Sequence, residues 1–158
     1  MARVAFIGIG TMGLPMAQCV IAAGHRVIAC DIDTTRAAKL GVDTAVSPAE
    51  AVRECDVAIT SLPSVGAVEE AVLGAGGVLE GARSGMTMID MSTSPPALAR
   101  RLAVALAEQN VAFLDAPVSG GPTGADVPAV LLIHGYPQSH ITWRHLAPRL
   151  AKTHRVVC

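Results

Sequence analysis

The sequence predicts an α/β fold, a doubly wound and mostly parallel sheet with helices on both faces. Three observations predict it. Short apolar runs alternate with stretches of helical period along most of the chain, and strands spaced by helices build βαβ units. The first apolar run passes through a glycine-rich turn straight into a helical stretch. Hydrophobic residues make up 51 % of the 158 residues and charged residues 16 %, enough apolar material for a sizeable core and too little charge for a disordered chain.

Each element has its own signal. Residues 3–9 are an apolar run ended by glycine and read as a buried strand. Residues 12–23 read as a helix closed by Gly24, 27–30 as a second strand ending at Asp31, and 34–40 as a short helix closed by Gly41. Ser47, Pro48 and Glu50 supply a cap, a first-turn proline and an acid three residues on, which together start a helix. A strand follows at 56–62, a helix at 67–73 and a strand at 86–91. Ser94-Pro95-Pro96 opens a helix running to about Gln109, followed by a strand at 111–114. Further on come a strand at 130–133, a helix near 141–152 and a strand at 154–157.

Length and composition bound the function. At roughly 150 residues per domain the chain is one domain, or one and a fragment. Its formal net charge is −1, and no basic stripe offers a footprint for nucleic acid. No apolar run reaches the ~18–20 residues a membrane span requires. The apolar N-terminus is broken by glycines and reads as strand and turn, not as a signal peptide. Cys19, Cys30, Cys55 and Cys158 lie far apart with no C-x-x-C pair, so neither a zinc site nor a disulfide framework is expected, and a cytoplasmic location is the expectation. Composition also shifts along the chain: four of the five histidines, Tyr136 and Trp143 lie after residue 133, and fourteen of the fifteen glycines lie at or before Gly124. The break falls near a Gly/Pro-rich stretch at 119–128, readable as a loop or as a seam.

Residues 8–13 carry the strongest motif. Gly8-Ile9-Gly10-Thr11-Met12-Gly13 is a G-x-G-x-x-G between strand and helix, the fingerprint of a Rossmann-like dinucleotide site. Gly8 permits the tight turn, Gly10 lets the backbone approach a pyrophosphate, and Gly13 lets the helix pack closely on the strand. The helix N-terminus adds free amides and a partial positive charge. Asp31, eighteen residues past Gly13 at the end of the second strand, is placed to accept hydrogen bonds from the adenosine ribose and to repel a 2′-phosphate. That favours NAD over NADP, although Arg36 is near enough to pair with such a phosphate. The plainer readings are a ligand-free glycine turn and, for Asp31, a helix-capping acid.

Residues 1–125 resemble the N-terminal half of the 3-hydroxyisobutyrate dehydrogenase family, the β-hydroxyacid dehydrogenases related to 6-phosphogluconate dehydrogenase. Four motifs in family order carry the resemblance: residues 8–17 (GIGTMGLPMA), 56–63 (DVAITSLP), 90–93 (DMST) and 115–121 (DAPVSGG). The resemblance implies that Leu62, Pro63 and Thr93 line the cofactor site. It implies that Ser119, Gly120 and Gly121 hold the substrate carboxylate, and consecutive amides in a glycine turn do form an anion-binding nest. It implies reversible hydride transfer between NAD and a small 3-hydroxy acid. The family's general acid/base is a lysine on the first long helix after this domain. The only lysines here, Lys39 and Lys152, do not stand in that context. No catalytic residue is therefore assigned, and the family's helical C-terminal domain is expected to be absent.

From Pro128 onward the sequence resembles the N-terminal strand, turn, helix and strand of α/β-hydrolases of the haloacetate dehalogenase and epoxide hydrolase type. His134-Gly135-Tyr136-Pro137, Trp143 and Ala147-Pro148-Arg149-Leu150 carry that likeness. No G-x-S-x-G nucleophile elbow occurs anywhere. The expectation is a dinucleotide-binding unit at 1–125 and a tail at 126–158 whose strands complete the same sheet. Other readings are a non-catalytic dinucleotide-binding module and a chimeric reading frame without selected function.

Overall fold

The computed structural model describes residues 1–118 together with 129–131 and 155–157. The described elements are β1 (Arg3–Ile7), α1 (Gly13–Ala22), β2 (Arg26–Cys30), α2 (Thr34–Ala38), β3 (Asp43–Ala45), α3 (Pro48–Val52), β4 (Val57–Thr60), α4 (Val65–Leu73), α5 (Val78–Gly81), β5 (Thr87–Asp90), α6 (Pro96–Ala107), β6 (Ala112–Asp115), β7 (Ala129–Leu131) and β8 (Arg155–Val157).

Six strands form one sheet in the order β3-β2-β1-β4-β5-β6, and every neighbouring pair is parallel. This is the doubly wound order of a Rossmann-like sheet, in which ligands bind outside the carboxyl ends of the strands where the order reverses. Here the reversal lies between β1 and β4. In register, Val4 sits beside Val27 on one side and Val57 on the other.

Side chains alternate along β1, and both faces are buried. Ala5 and Ile7 pack with Ala58, Met88, Val52, Val68, Leu102 and Leu106 on the face covered by α3, α4, α5 and α6. Val4 and Phe6 pack with Val27, Ala29, Met16 and Ala37 on the face covered by α1 and α2. A period of two with no polar face is what a strand sandwiched between two helical layers requires.

The structure departs from the sequence reading at several boundaries. β1 stops at Ile7, because Gly8 turns the chain with φ +94°. β4 is confined to Val57–Thr60. α6 ends at Ala107, and Asn110, at φ 57°, donates its amide to Ala107 and turns the chain into β6. Two elements were not predicted, the edge strand β3 and the short helix α5. β7 and β8 pair with each other as a two-stranded parallel sheet separate from the six-stranded one. Among the described residues they do not extend the main sheet as expected. The predicted helix near 141–152 lies outside the described residues. No helix among them is long and apolar enough to cross a membrane.

Candidate functional site

The carboxyl ends of β2, β1, β4, β5 and β6 form one continuous rim. Backbone bonds stitch it together: Gly8 N–H to Cys30 O at 2.8 Å, Ser61 N–H to Ile7 O at 2.9 Å, Met91 N–H to Thr60 O at 2.9 Å, and Ala116 N–H to Asp90 O at 2.8 Å. The segments that follow β1, β2, β4 and β5 carry the predicted site residues that the structure describes.

The three glycines of residues 8–13 differ in what surrounds them. A β-carbon on Gly8 would stand 2.3 Å from Ser61 O and 2.8 Å from Leu62 Cδ2. One on Gly13 would stand 1.8 Å from Gly8 O and 3.4 Å from Phe6 Cε1. Gly8 therefore lets β1 turn under the β4 loop, and Gly13 lets α1 close onto that turn. A β-carbon on Gly10 would meet nothing within 4 Å. The backbone there faces open space, the room an approaching phosphate needs. Beyond it, no side chain caps the N-terminus of α1 at Met12; in the first turn Leu14 donates its amide to Gly10 O and Pro15 has none, which leaves the Gly13 amide for an outside acceptor. Thr11 is exposed and Met12 half-buried on the same turn.

Asp31 faces this turn from the end of β2. Its Oδ2 accepts the Ile9 amide at 2.7 Å and its Oδ1 accepts the Asp33 amide at 2.8 Å. A carboxylate has about four acceptor positions, so each oxygen keeps capacity for a further donor. The helix-cap alternative is settled against Asp31. Asp33 caps α2, accepting the Thr35 amide at 3.0 Å and the Thr35 hydroxyl at 2.6 Å, and the hydroxyl bond foremost holds its carboxyl below the usual range. Arg36 pairs with Asp33 at 3.2 Å; the pair is exposed and screened by solvent. Beneath Asp31, burial foremost, then the charges of Asp31 and Glu50, pushes the Cys30 thiol up to about 11. Cys30 is a neutral, buried part of the wall.

Leu62 and Pro63 follow β4, and Leu62 lies against Gly8. Thr93 follows β5 and is exposed. The structure thus brings residues 8–13, Asp31, Leu62, Pro63 and Thr93 to one rim. Ser119, Gly120 and Gly121 lie outside the described residues.

Sequence reasoning missed the polar cluster beneath the rim. Asp90 and Thr60 are fully buried and Ser92 is 5 % exposed. Asp90 Oδ1 accepts the Thr60 hydroxyl at 2.8 Å and the Ser92 amide at 3.0 Å, and Oδ2 accepts the Ser94 hydroxyl at 2.7 Å. Ser92 Oγ in turn accepts the Leu62 amide at 2.9 Å. Ser94, whose place before two prolines suggested a helix start, serves Asp90 instead; Pro95 takes the position before α6 and supplies no side-chain cap. On the neighbouring strand Asp115 is exposed as a residue, but partial loss of water at its carboxyl, and to a smaller degree the charge of Asp90, raises that carboxyl above its ordinary value. The readable signal was the spacing Asp90-x-Ser92-x-Ser94 after an apolar strand.

The family model described as the NAD binding domain of 6-phosphogluconate dehydrogenase matches residues 3–157. The match therefore continues through the tail that resembles hydrolases. The mitochondrial 3-hydroxyisobutyrate dehydrogenase of Mus musculus is 40 % identical over 121 residues, covering 75 % of this chain and 36 % of its own length. The 2-(hydroxymethyl)glutarate dehydrogenase of Eubacterium barkeri is 34 % identical over 136 residues, covering 84 % of this chain and 45 % of its own. Among solved structures, 3-hydroxyisobutyrate dehydrogenase of Mycobacterium tuberculosis with L-serine is similar at a TM-score of 0.77 and 34 % identity, over 99 % of this chain and 53 % of that one. Psf3 in complex with NADP+ and 2-OPP is similar at 0.75 and 25 % identity, over 97 % of this chain and 56 % of that one. The chain thus spans about half the length, or less, of these relatives. The family model and the relatives support a nicotinamide dinucleotide as the cofactor.

Proposed function

The chain belongs to the family of the NAD binding domain of 6-phosphogluconate dehydrogenase, and from that premise we propose that it is the dinucleotide-binding half of a 3-hydroxyacid dehydrogenase that prefers NAD to NADP. The observation that carries this reading is the 2.7 Å bond from the Ile9 amide to Asp31. It ties the turn suited to phosphates to the carboxylate suited to a ribose.

In this reading Gly8, Ile9, Gly10, Thr11, Met12 and Gly13 wrap the pyrophosphate, which sits on the amides at the start of α1. The remaining acceptor positions of Asp31 take the adenosine ribose hydroxyls, and its charge opposes a 2′-phosphate. Leu62, Pro63 and Thr93 bound the nicotinamide half. The bound dinucleotide supplies the hydride donor or acceptor. Ser119, Gly120 and Gly121 hold the carboxylate of a small 3-hydroxy acid by hydroxyl and amide donors. A base must still take the proton of the reacting hydroxyl. Lys39 is exposed at the C-terminal end of α2, and we assign it no part in this. The reading therefore places hydride transfer in this chain together with a lysine-bearing helical part of the kind its family carries. A cytoplasmic location and a functional division near residue 125 belong to the same proposal.

Calorimetric titration with NADH and with NADPH tests it. NADH is expected to bind saturably and at least about tenfold tighter than NADPH, a difference of about 1.4 kcal/mol. Asp31→Ser is expected to narrow that ratio. Equal or tighter NADPH binding would overturn the NAD preference and leave the site standing. Failure to bind either would overturn the whole reading.

A further inference from the structure

The cluster around Asp90 is costly to build. Taking a carboxylate out of water costs several kcal/mol unless hydrogen bonds or a counter-charge compensate. Asp90 is fully buried, and among the described residues no cation pairs with it. Three donors converge on it instead, from Thr60, Ser92 and Ser94.

The donors come from the end of β4 and from the loop after β5, next to the residues proposed to flank the nicotinamide half. Thr60 is the last residue of β4, immediately before the loop that carries Leu62 and Pro63. The Ser92 amide closes a side-chain turn on Asp90, two residues back, which ends β5 and turns the chain. The next residue, Thr93, is exposed, while Ser92 on one side is buried and Ser94 on the other is half-buried. Ser92 Oγ then holds the Leu62 amide, and Leu62 lies against Gly8. One carboxylate thus sets the spacing between Leu62 on one loop and Thr93 on the other.

We propose that Asp90 is a positioning residue for the nicotinamide half of the dinucleotide, acting through Ser92 and Thr60 on the loops that carry Leu62 and Thr93. This rests on the dinucleotide-binding reading. It assigns Asp90 no contact with the cofactor.

Titration with two probes tests it, NADH and ADP-ribose, the second lacking the nicotinamide. The chain is compared with Asp90→Ala, Asp90→Asn and Ser92→Ala. Asp90→Ala is expected to weaken NADH at least tenfold while ADP-ribose stays within twofold, and to abolish the change in nicotinamide fluorescence on binding. Asp90→Asn keeps the shape and the Oδ1 acceptor and is expected to recover most of the NADH affinity. Ser92→Ala cuts the link to Leu62 alone and shows the same selective loss, at threefold or more; it decides the matter where Asp90→Ala does not fold. Equal loss for both probes, or loss for neither in the folded variants, would overturn the positioning role and leave the binding reading intact. Binding of neither probe by the unaltered chain would overturn both.

Discussion

Gly8, Gly10 and Gly13 stand within one turn of backbone and answer to different demands. At Gly8 and Gly13 the protein itself occupies the space where a side chain would begin, with Ser61 O at 2.3 Å and Gly8 O at 1.8 Å. At Gly10 nothing does. Gly8→Ala and Gly13→Ala are therefore expected to destabilise the fold by on the order of 3 kcal/mol or more, from backbone clash and, at Gly8, a left-handed φ. Gly10→Ala is expected to change thermal stability by less than about 1 kcal/mol while weakening NADH binding at least tenfold. Denaturant melts and calorimetry on the three variants separate the two behaviours; a Gly10→Ala variant that binds normally would show that nothing approaches that backbone. The turn, the close packing and the placing of Asp31 were legible in the sequence, because glycine spacing is a direct imprint of backbone geometry. Asp90 was not legible. An acid at the end of an apolar strand reads the same whether it meets water or three donors, and the donors from Thr60 and Ser94 are brought to it only by strand register and by the turn after β5.

At the scale of elements, the short helix α3 shows how local signals and tertiary packing share control. Ser47 Oγ accepts the Glu50 amide at 3.2 Å, and Glu50 Oε2 reaches back to the Val46 amide at 2.9 Å, a close variant of the capping box. Five residues of helix have little stability of their own. α3 persists because Ala51 and Val52 are fully buried against the sheet and because Gly81 lets α5 come so close that a β-carbon there would stand 2.0 Å from Ala49 O. Ser47→Ala is expected to cost about 1 kcal/mol, read as a lower midpoint in urea with an unchanged slope; a shift under a few tenths of a kcal/mol would mean that packing alone holds the helix. The start of α3 was readable from Ser47, Pro48 and Glu50. α5 was not, because Val78–Gly81 is a single turn fixed by its neighbours. Nor was β3, where two of the three residues are exposed and only pairing with β2 makes the segment a strand.

At the scale of the whole molecule, the six-stranded sheet and the β7–β8 ladder are expected to differ in stability. Central strands of a sheet buried on both faces open only with global unfolding, whereas two short strands that, among the described residues, pair only with each other form a marginal ladder. Hydrogen exchange is expected to find the amides of β1 and β4 the slowest and those of β7 and β8 markedly faster. Equal protection would show that the two ladders unfold as one unit. The doubly wound class was legible because strand and helix alternate. How the tail's strands pair was not, since apolar content tells a strand from a helix but does not name its partner. The position of β1 carries a last consequence. It precedes every other described strand in the chain, yet it is bonded on both edges, with Val4 set against Val27 and against Val57. During synthesis β2 becomes available first, and the other edge of β1 stays bare until β4 has left the ribosome. Such delayed, non-local pairing slows folding and leaves an apolar edge open to neighbouring chains. The interval between the emergence of Ile7 and of Thr60 is therefore a window in which one edge of β1 in a nascent copy has no partner strand.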